Sequence, residues 1–311
     1  MFFIVGLINP AHIGSGDSVQ PTDTVSIIRS VTPEPRGAIS VSIVGGDTFV
    51  RVKSNGAAVQ IPGYENEPYL KIDANGIVSV NERSISSFVN STRYGATQLP
   101  DITSPAPAVW RVVARDGTAI WHDHRSHWMS AKRPAVIDSE GTVLNWQIPI
   151  IVNGTTTVIA GTLYLQRSAS AWWWLLGIPL LLIAAVATSL QRQRSAVVAL
   201  VVSLATLIVG WFEYVGLPDS VRTAPTMIVF SVISMFIAVF ALLRNRDDST
   251  DGALCAGSGM VMMLLAWLVR EQIYRAYIPG LDAEWCARTV IIACLSSGLV
   301  LTLDGARRVL R

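Results

Sequence analysis

The chain changes its pattern of apolar and polar positions once, near Ser168. Ahead of that point, short runs alternate apolar and polar side chains with period two, the repeat that gives a strand one buried and one wet face. They cover residues 39–44, 48–53, 69–72, 77–80, 109–114, 118–124, 143–151 and 155–166. Asn75-Gly76, Asp116-Gly117 and Asn153-Gly154 lie between consecutive runs, and these dipeptides suit tight hairpin turns because Asn, Asp and Gly tolerate positive φ. Short strands at this spacing, without a helical repeat of useful length, predict an all-β sandwich over residues 13–168. The Pro-rich stretch 100–107 is expected as a loop across one edge.

Beyond Ser168, apolar blocks at 172–190, 195–217, 226–243, 253–269 and about 285–303 are separated by short Arg-bearing connections. Each approaches the ~20 residues a helix needs to cross ~30 Å of hydrocarbon. The expectation is an all-α multi-pass transmembrane bundle of five helices over residues 171–311. Arg and Lys near span ends are retained in the cytoplasm. Arg192, Arg194, Arg244, Arg246, Arg307, Arg308 and Arg311 outnumber Arg222, Arg270, Arg275 and Arg288 on the alternate connections, which puts the C-terminus in the cytoplasm and the β-domain in an extracytoplasmic position. The run Trp172, Trp173, Trp174 fits an interfacial anchor. Residues 1–12 are apolar but short for a signal peptide and lack a basic start, so they read as a truncated or residual signal segment. Cleavage after Ala11 would make His12 the mature N-terminus.

Composition agrees with this division: 51% apolar residues, 15% charged residues and a mean hydropathy of +0.44 describe a cell-membrane protein whose first partner is the lipid bilayer. A formal charge of +2 without a basic run makes nucleic acid a poor partner. Cys255, Cys286 and Cys294 all fall in the second half, so the β-domain must be held by its core and not by disulfides.

Four segments carry a resemblance: GYENEPYLKI at 63–72, the Asn81, Ser84 and Tyr94-Gly95 region, WHDHRSHWM at 121–129, and NWQIPI at 145–150. Together they resemble a multi-pass membrane protein family of high-GC Gram-positive bacteria. Members have a signal peptide ending before an Ala-His pair, an outer β-domain with these motifs, and C-terminal membrane helices. The scarcity of lysine, present only at Lys53, Lys71 and Lys132, fits a high-GC source. No role is established for that family, so the resemblance implies architecture rather than function. The Ala11-His12 start and Val31-Thr32-Pro33 are weakly similar to periplasmic copper-resistance β-sandwiches, in which a mature N-terminal His chelates copper. That likeness implies an Ig-like or copper-resistance-like sandwich.

Three of the chain's four histidines, His122, His124 and His127, lie within six residues. On a strand His122 and His124 would share a face, with His127 curling back from the next turn. Imidazoles suit Cu(II) and Zn(II), and Cu(II) fits an oxidising compartment that offers nitrogen rather than thiolate ligands. His12 is a fourth ligand if cleavage frees it. Against a metal stands the expected hairpin register. An Asp116-Gly117 turn would set Arg111 directly opposite His122, where a guanidinium repels a cation. The competing reading is a polar network in which His122 and His124 bond backbone and Asp123 pairs with Arg125. Recognition of a partner or lipid headgroup is a third possibility.

Tyr64, Glu65, Glu67 and Tyr69 have the character of a binding loop, or of a turn that positions two core tyrosines. Glu213, near the outer end of the second span, is an expensive intramembrane carboxylate for which Arg222 or Arg270 could be a partner. Cys255, Met260, Met262, Met263 and Cys294 are better explained by packing, with Ala253, Gly257 and Gly259 allowing close helix approach. There is no Ser-His-acid constellation, phosphate loop or His-Glu-x-x-His helix. The expected role is therefore not enzymatic. It is a membrane protein with an extracytoplasmic ligand-binding domain that handles copper or another transition metal, or an accessory or scaffold subunit among other envelope membrane proteins. The arginine asymmetry predicts that reporter fusions at Arg246 and at the C-terminus are both cytoplasmic; periplasmic-type activity at either would reverse the orientation.

Overall fold

The computed structural model describes residues 19–94, 107–130, 132–190, 194–243 and 248–310. It divides into two compact units, Met1–Gln166 with Leu217–Arg222, and Arg167–Gly216 with Thr223–Arg311. The signal segment with His12, and all of the 100–107 stretch except Pro107, lie outside the described residues.

The first unit is an antiparallel β-domain of two sheets. One sheet has seven strands in the order β1 (Thr24–Thr32), β10 (Thr155–Leu165), β9 (Thr142–Val152), β4 (Val59–Pro62), β5 (Pro68–Ile72), β6 (Val78–Asn81) and β7 (Trp110–Ala114). The other has three, β2 (Ile39–Val44), β3 (Phe49–Ser54) and β8 (Thr118–Trp121). Their inner faces share one core, with Val50, Val52, Ala119 and Trp121 from the small sheet meeting Ile61, Tyr69, Ile72, Ile148, Ile150 and Ile159 from the large one. That is the sandwich the alternation predicts. The β9–β10 hairpin has the expected register, with Thr155 opposite Val152, and Asn153 and Gly154 adopt φ of 49° and 81°, as a type I′ turn requires.

Two strands escape the sequence reading: β4, which is only four residues long and ends in Pro62, and β1, which does not alternate strictly. Four residues of β1, Ile27, Arg29, Ser30 and Thr32, are exposed, which blurs the period. A third departure matters more. β7 and β8 do not form a hairpin across Asp116-Gly117: β7 pairs with β6 in the large sheet and β8 with β3 in the small one. The chain turns the corner between sheets there, and Gly117 bonds to both, donating to the Gly76 carbonyl and accepting from Ser54 N–H. Arg111 therefore does not face His122 across a hairpin, contrary to the expected register. Arg111 stands opposite Val80 and pairs at the surface with Glu82 at 2.6 Å. β8 also ends at Trp121, so His122 and His124 belong to a loop, not to a strand face.

The second unit is helical. Among the described residues, five helical segments are long and apolar enough to cross a membrane: Ala171–Leu190, Arg194–Val215, Thr226–Leu243, Ser249–Leu268 and Glu284–Val309. The first joins a 3-10 turn, Ala171–Leu176, to α2 (Gly177–Leu190); the others correspond to α3 (Arg194–Val215), α4 (Thr226–Leu243), α5 (Asp248–Leu268) and α7 (Glu284–Val309). Two short helices complete the set, α1 (Ile85–Val89) in the β-domain and α6 (Glu271–Tyr274) before α7. Trp172 is 76% exposed, as an interfacial anchor should be, while Trp173 turns inward against the helical core. Hydroxyls join helices internally, Ser203 to Ser234 at 2.9 Å and Ser234 to Ser258 at 2.7 Å, replacing the partners that hydrocarbon does not offer.

α5 and α7 approach most closely where glycines face one another. A Cβ on Gly259 would fall 2.5 Å from the Gly298 carbonyl oxygen, and one on Gly252 would fall 2.7 Å from the Gly305 carbonyl oxygen. Gly259 thus has the role expected of it, whereas Gly257 faces open space and contributes no close contact. Gly259→Val should destabilise the protein in detergent by about 1–3 kcal/mol, the usual cost of overpacking a filled contact. Thermal unfolding followed by far-UV circular dichroism reads this directly; an unchanged midpoint would remove the glycine contact from the account.

Candidate metal centre

The loop after β8 is shaped by one buried charge. Asp123 is fully buried, and its carboxylate accepts from Trp121 Nε1 at 2.9 Å, Arg125 Nε at 2.8 Å and Arg125 NH2 at 2.7 Å. The Asp123 carbonyl also accepts from Ser126 N–H and Oγ, both at 3.0 Å. A carboxylate removed from water needs this degree of compensation. The expected Asp123–Arg125 pair is therefore present, but as the pin of a tight turn. Burial alone would lower the Arg125 pKa; Asp123 more than offsets it and holds the guanidinium above its ordinary value.

That turn gathers the histidines. His122, His124 and His127 are only 2%, 8% and 1% exposed, and one ligand atom from each lies within 4.8 Å of the others. Ring centroids are 4.1 Å apart for His122 and His127, 5.0 Å for His124 and His127, and 5.7 Å for His122 and His124. Backbone carbonyls set the tautomers of two rings. His124 Nε2 donates to Thr92 O at 2.9 Å and His127 Nδ1 donates to Trp128 O at 3.1 Å. Among the described residues no hydrogen-bond partner reaches His124 Nδ1 or His127 Nε2. Each of those buried nitrogens then carries a lone pair that no hydrogen bond uses, and carbonyls bonded to the other ring nitrogen are how metal-binding imidazoles are commonly oriented. Burial, followed by the neighbouring His122 and Arg93, depresses the His127 pKa to about 2; burial likewise lowers that of His124. Both imidazoles are neutral at pH 7, the form that binds metal.

The GYENEPYL segment supports this loop through hydrogen bonds. The Tyr64 hydroxyl accepts the His124 backbone N–H at 2.9 Å and donates to Asn90 Oδ1, while the Arg125 guanidinium lies 4.9 Å from the centre of the Tyr64 ring. Asn90 Nδ2 in turn donates to the Tyr69 hydroxyl, deep in the core, at 3.2 Å. Burial and Asp123 raise the Tyr64 pKa, and burial raises that of Tyr69, so both phenols stay protonated. Glu67 closes the turn, accepting from Ser84 Oγ at 2.6 Å and Ser86 Oγ at 2.8 Å; Glu65 is exposed. The turn reading is the one the contacts support, and it joins two motifs of the chain into one structure.

Other parts of the neighbourhood were not singled out from the sequence. Phe49 packs edge-on against His122 with centroids 5.6 Å apart. The fully buried Asp47 neutralises Arg93 at 2.7 Å and accepts from Thr24 Oγ1 at 2.6 Å. Asp47 follows two glycines with no flanking pattern, so only tertiary contact reveals it. Glu213, in the helical unit, takes neither arginine as partner: Gln272 Nε2 donates to it at 2.8 Å, while Arg222 pairs with Asp219 and Arg270 stacks on Trp267. Comparison with protein-family profiles, curated proteins and solved structures gives no match for the chain.

Burial would raise the Glu67 pKa, but the bonds from Ser84 and Ser86 outweigh it and hold the carboxyl below its ordinary 4.5. A depressed carboxyl pKa stabilises the fold fully above the unfolded value and loses that contribution as pH falls through the folded one. Stability should therefore drop with acidification below about pH 4.5, and Glu67→Gln should flatten that limb of a pH series of melting temperatures. An unaltered limb would show that Glu67 does not hold the turn.

Proposed function

We propose that the protein is a non-catalytic, membrane-anchored metal-binding protein of the cell envelope, with the β-domain extracytoplasmic and the C-terminus cytoplasmic. The ligands are His122, His124 and His127, and the metal is a borderline transition ion such as copper or zinc. The observation that carries this reading is the convergence of three buried imidazoles with one ligand atom each within 4.8 Å of the others, two of them with their tautomers set by backbone carbonyls so that the second nitrogen keeps its lone pair. A metal about 2.0–2.1 Å from each nitrogen brings ligand atoms to roughly 3.3–4 Å from one another, so binding would draw the rings together by about an ångström. The loss of Arg111 from the neighbourhood of His122 removes the charge that opposed a cation there, and Arg93, the cation that does act on His127, is held by Asp47. Orientation is supported by the arginine distribution.

The test uses the full chain purified in detergent, equilibrated with Cu(II) and separately with Zn(II), desalted, and analysed for bound metal by mass spectrometry. Wild type should retain one equivalent of at least one metal. His122→Ala with His127→Ala should lose it while circular dichroism and elution volume are unchanged. Retention that ignores the substitutions would overturn the assignment. A second polypeptide retained through purification with no bound metal would instead favour the accessory-subunit role.

A further inference from the structure

Arg288 is a buried cation without an acid beside it. It lies one turn into α7 and is 7% exposed. Its NH2 donates to the carbonyls of Arg275 at 2.8 Å and Ala276 at 3.2 Å, and the guanidinium carbon is 5.9 Å from the centre of the Trp173 ring. The buried Nε has no hydrogen-bond partner among the described residues. Glu284, one turn earlier on α7, acts on Arg288 electrostatically but forms no ion pair with it, and Glu271 pairs with Arg275 instead. Two carbonyls orient a guanidinium without cancelling its charge, and a cation withdrawn from water needs an anion close by.

The level of Arg288 along the helices indicates which anion is at hand. Trp172, Trp173 and Trp174 open the first of the five apolar segments, Trp211 lies near the end of the second, Trp267 near the end of the fourth, and Trp285 at the start of the fifth. Helices that cross a bilayer in succession run in opposite directions, so all six indoles fall at one end of the helical unit, and all but Trp173 are exposed. Tryptophan gathers in this way at the level of lipid headgroups. Arg288, four residues after the start of its segment, is ~6 Å along the helix from that level, within reach of an arginine side chain. The anion abundant there is a lipid phosphate, which a guanidinium binds with two parallel hydrogen bonds. A zwitterionic headgroup brings a cation of its own, so charge balance favours an anionic lipid.

Resting on the membrane-spanning reading and not on the metal centre, we infer that Arg288 holds the phosphate of an anionic phospholipid at the tryptophan-ringed end of the helical unit. The full chain in detergent is incubated with phosphatidylglycerol, with phosphatidylcholine or with inorganic phosphate, and adducts are followed by native mass spectrometry. Wild type should keep one phosphatidylglycerol under activation that strips phosphatidylcholine. Arg288→Gln, whose amide can still donate to the 275 and 276 carbonyls, should weaken that binding about tenfold, the worth of one charge-assisted hydrogen bond. Arg270→Gln removes a charge from the same end and should leave the adduct unchanged. If Arg288→Gln loses its circular dichroism signal, Arg288→Lys, which keeps the charge but not the planar fork, takes its place and should weaken retention several-fold. Metal retention by these variants should equal that of wild type, so the lipid site and the metal centre can fail separately. Equal losses in the Arg288 and Arg270 variants would reduce the effect to diffuse attraction and overturn the site. Phosphatidylcholine held as firmly as phosphatidylglycerol would also overturn it, as would a phosphate adduct without a lipid one, which would make Arg288 a free-anion site.

Discussion

The buried carboxylate of Asp123 is the constraint from which the geometry of the centre follows. A charge at zero exposure must be matched on the spot. Trp121 Nε1 from the end of β8 and the Arg125 guanidinium from two residues on supply the match. Because these partners flank Asp123 in sequence, satisfying it folds the chain tightly on itself, and the residues on either side, His122 and His124, are carried inward with His127. The same local closure explains why the strand stops at Trp121: an extended backbone would send Asp123 and its neighbours to opposite faces.

The turn is held from outside by a chain of hydrogen bonds that ends in the core. Tyr69, fully buried, fixes Asn90; Asn90 fixes the Tyr64 phenol; and Tyr64 takes the His124 amide. A side chain three hydrogen bonds removed from the His124 backbone thus helps set where the rings sit. Glu67 performs a parallel task by tying its own loop to Ser84 and Ser86 at the start of α1. Buried polar networks of this kind specify one arrangement because any partial rearrangement strands an unpaired group at about 1–3 kcal/mol.

In the helical unit polarity is used differently. Ser203, Ser234 and Ser258 link three helices, and Gly252, Gly259, Gly298 and Gly305 let α5 and α7 touch through their backbones. With little hydrophobic driving force between helices in lipid, close contact and interhelical hydrogen bonds are what remain to hold such a bundle. The glycines recur at intervals of seven within each helix, which keeps them on one face over two turns.

Period-two alternation was enough to reveal most of the strands, and apolar length enough to reveal all five spans, because each is a local property set by one buried face or by the thickness of hydrocarbon. The clustering of His122, His124 and His127, and the pairing of Asp123 with Arg125, were equally legible, since all lie within six residues. Only the tertiary structure decided what surrounds them. Asp116-Gly117 has hairpin chemistry, yet its flanking strands join different sheets, because sheet membership depends on which distant strand, β6 or β3, offers the better burial. That single choice removed Arg111 from the histidines and brought Phe49, Thr92 and Arg93 to them. The sequence by itself determined a β-domain, a membrane bundle and a set of candidate ligands; long-range packing determined that two of those ligands have their tautomers fixed by carbonyls and that the acids beside them are already neutralised.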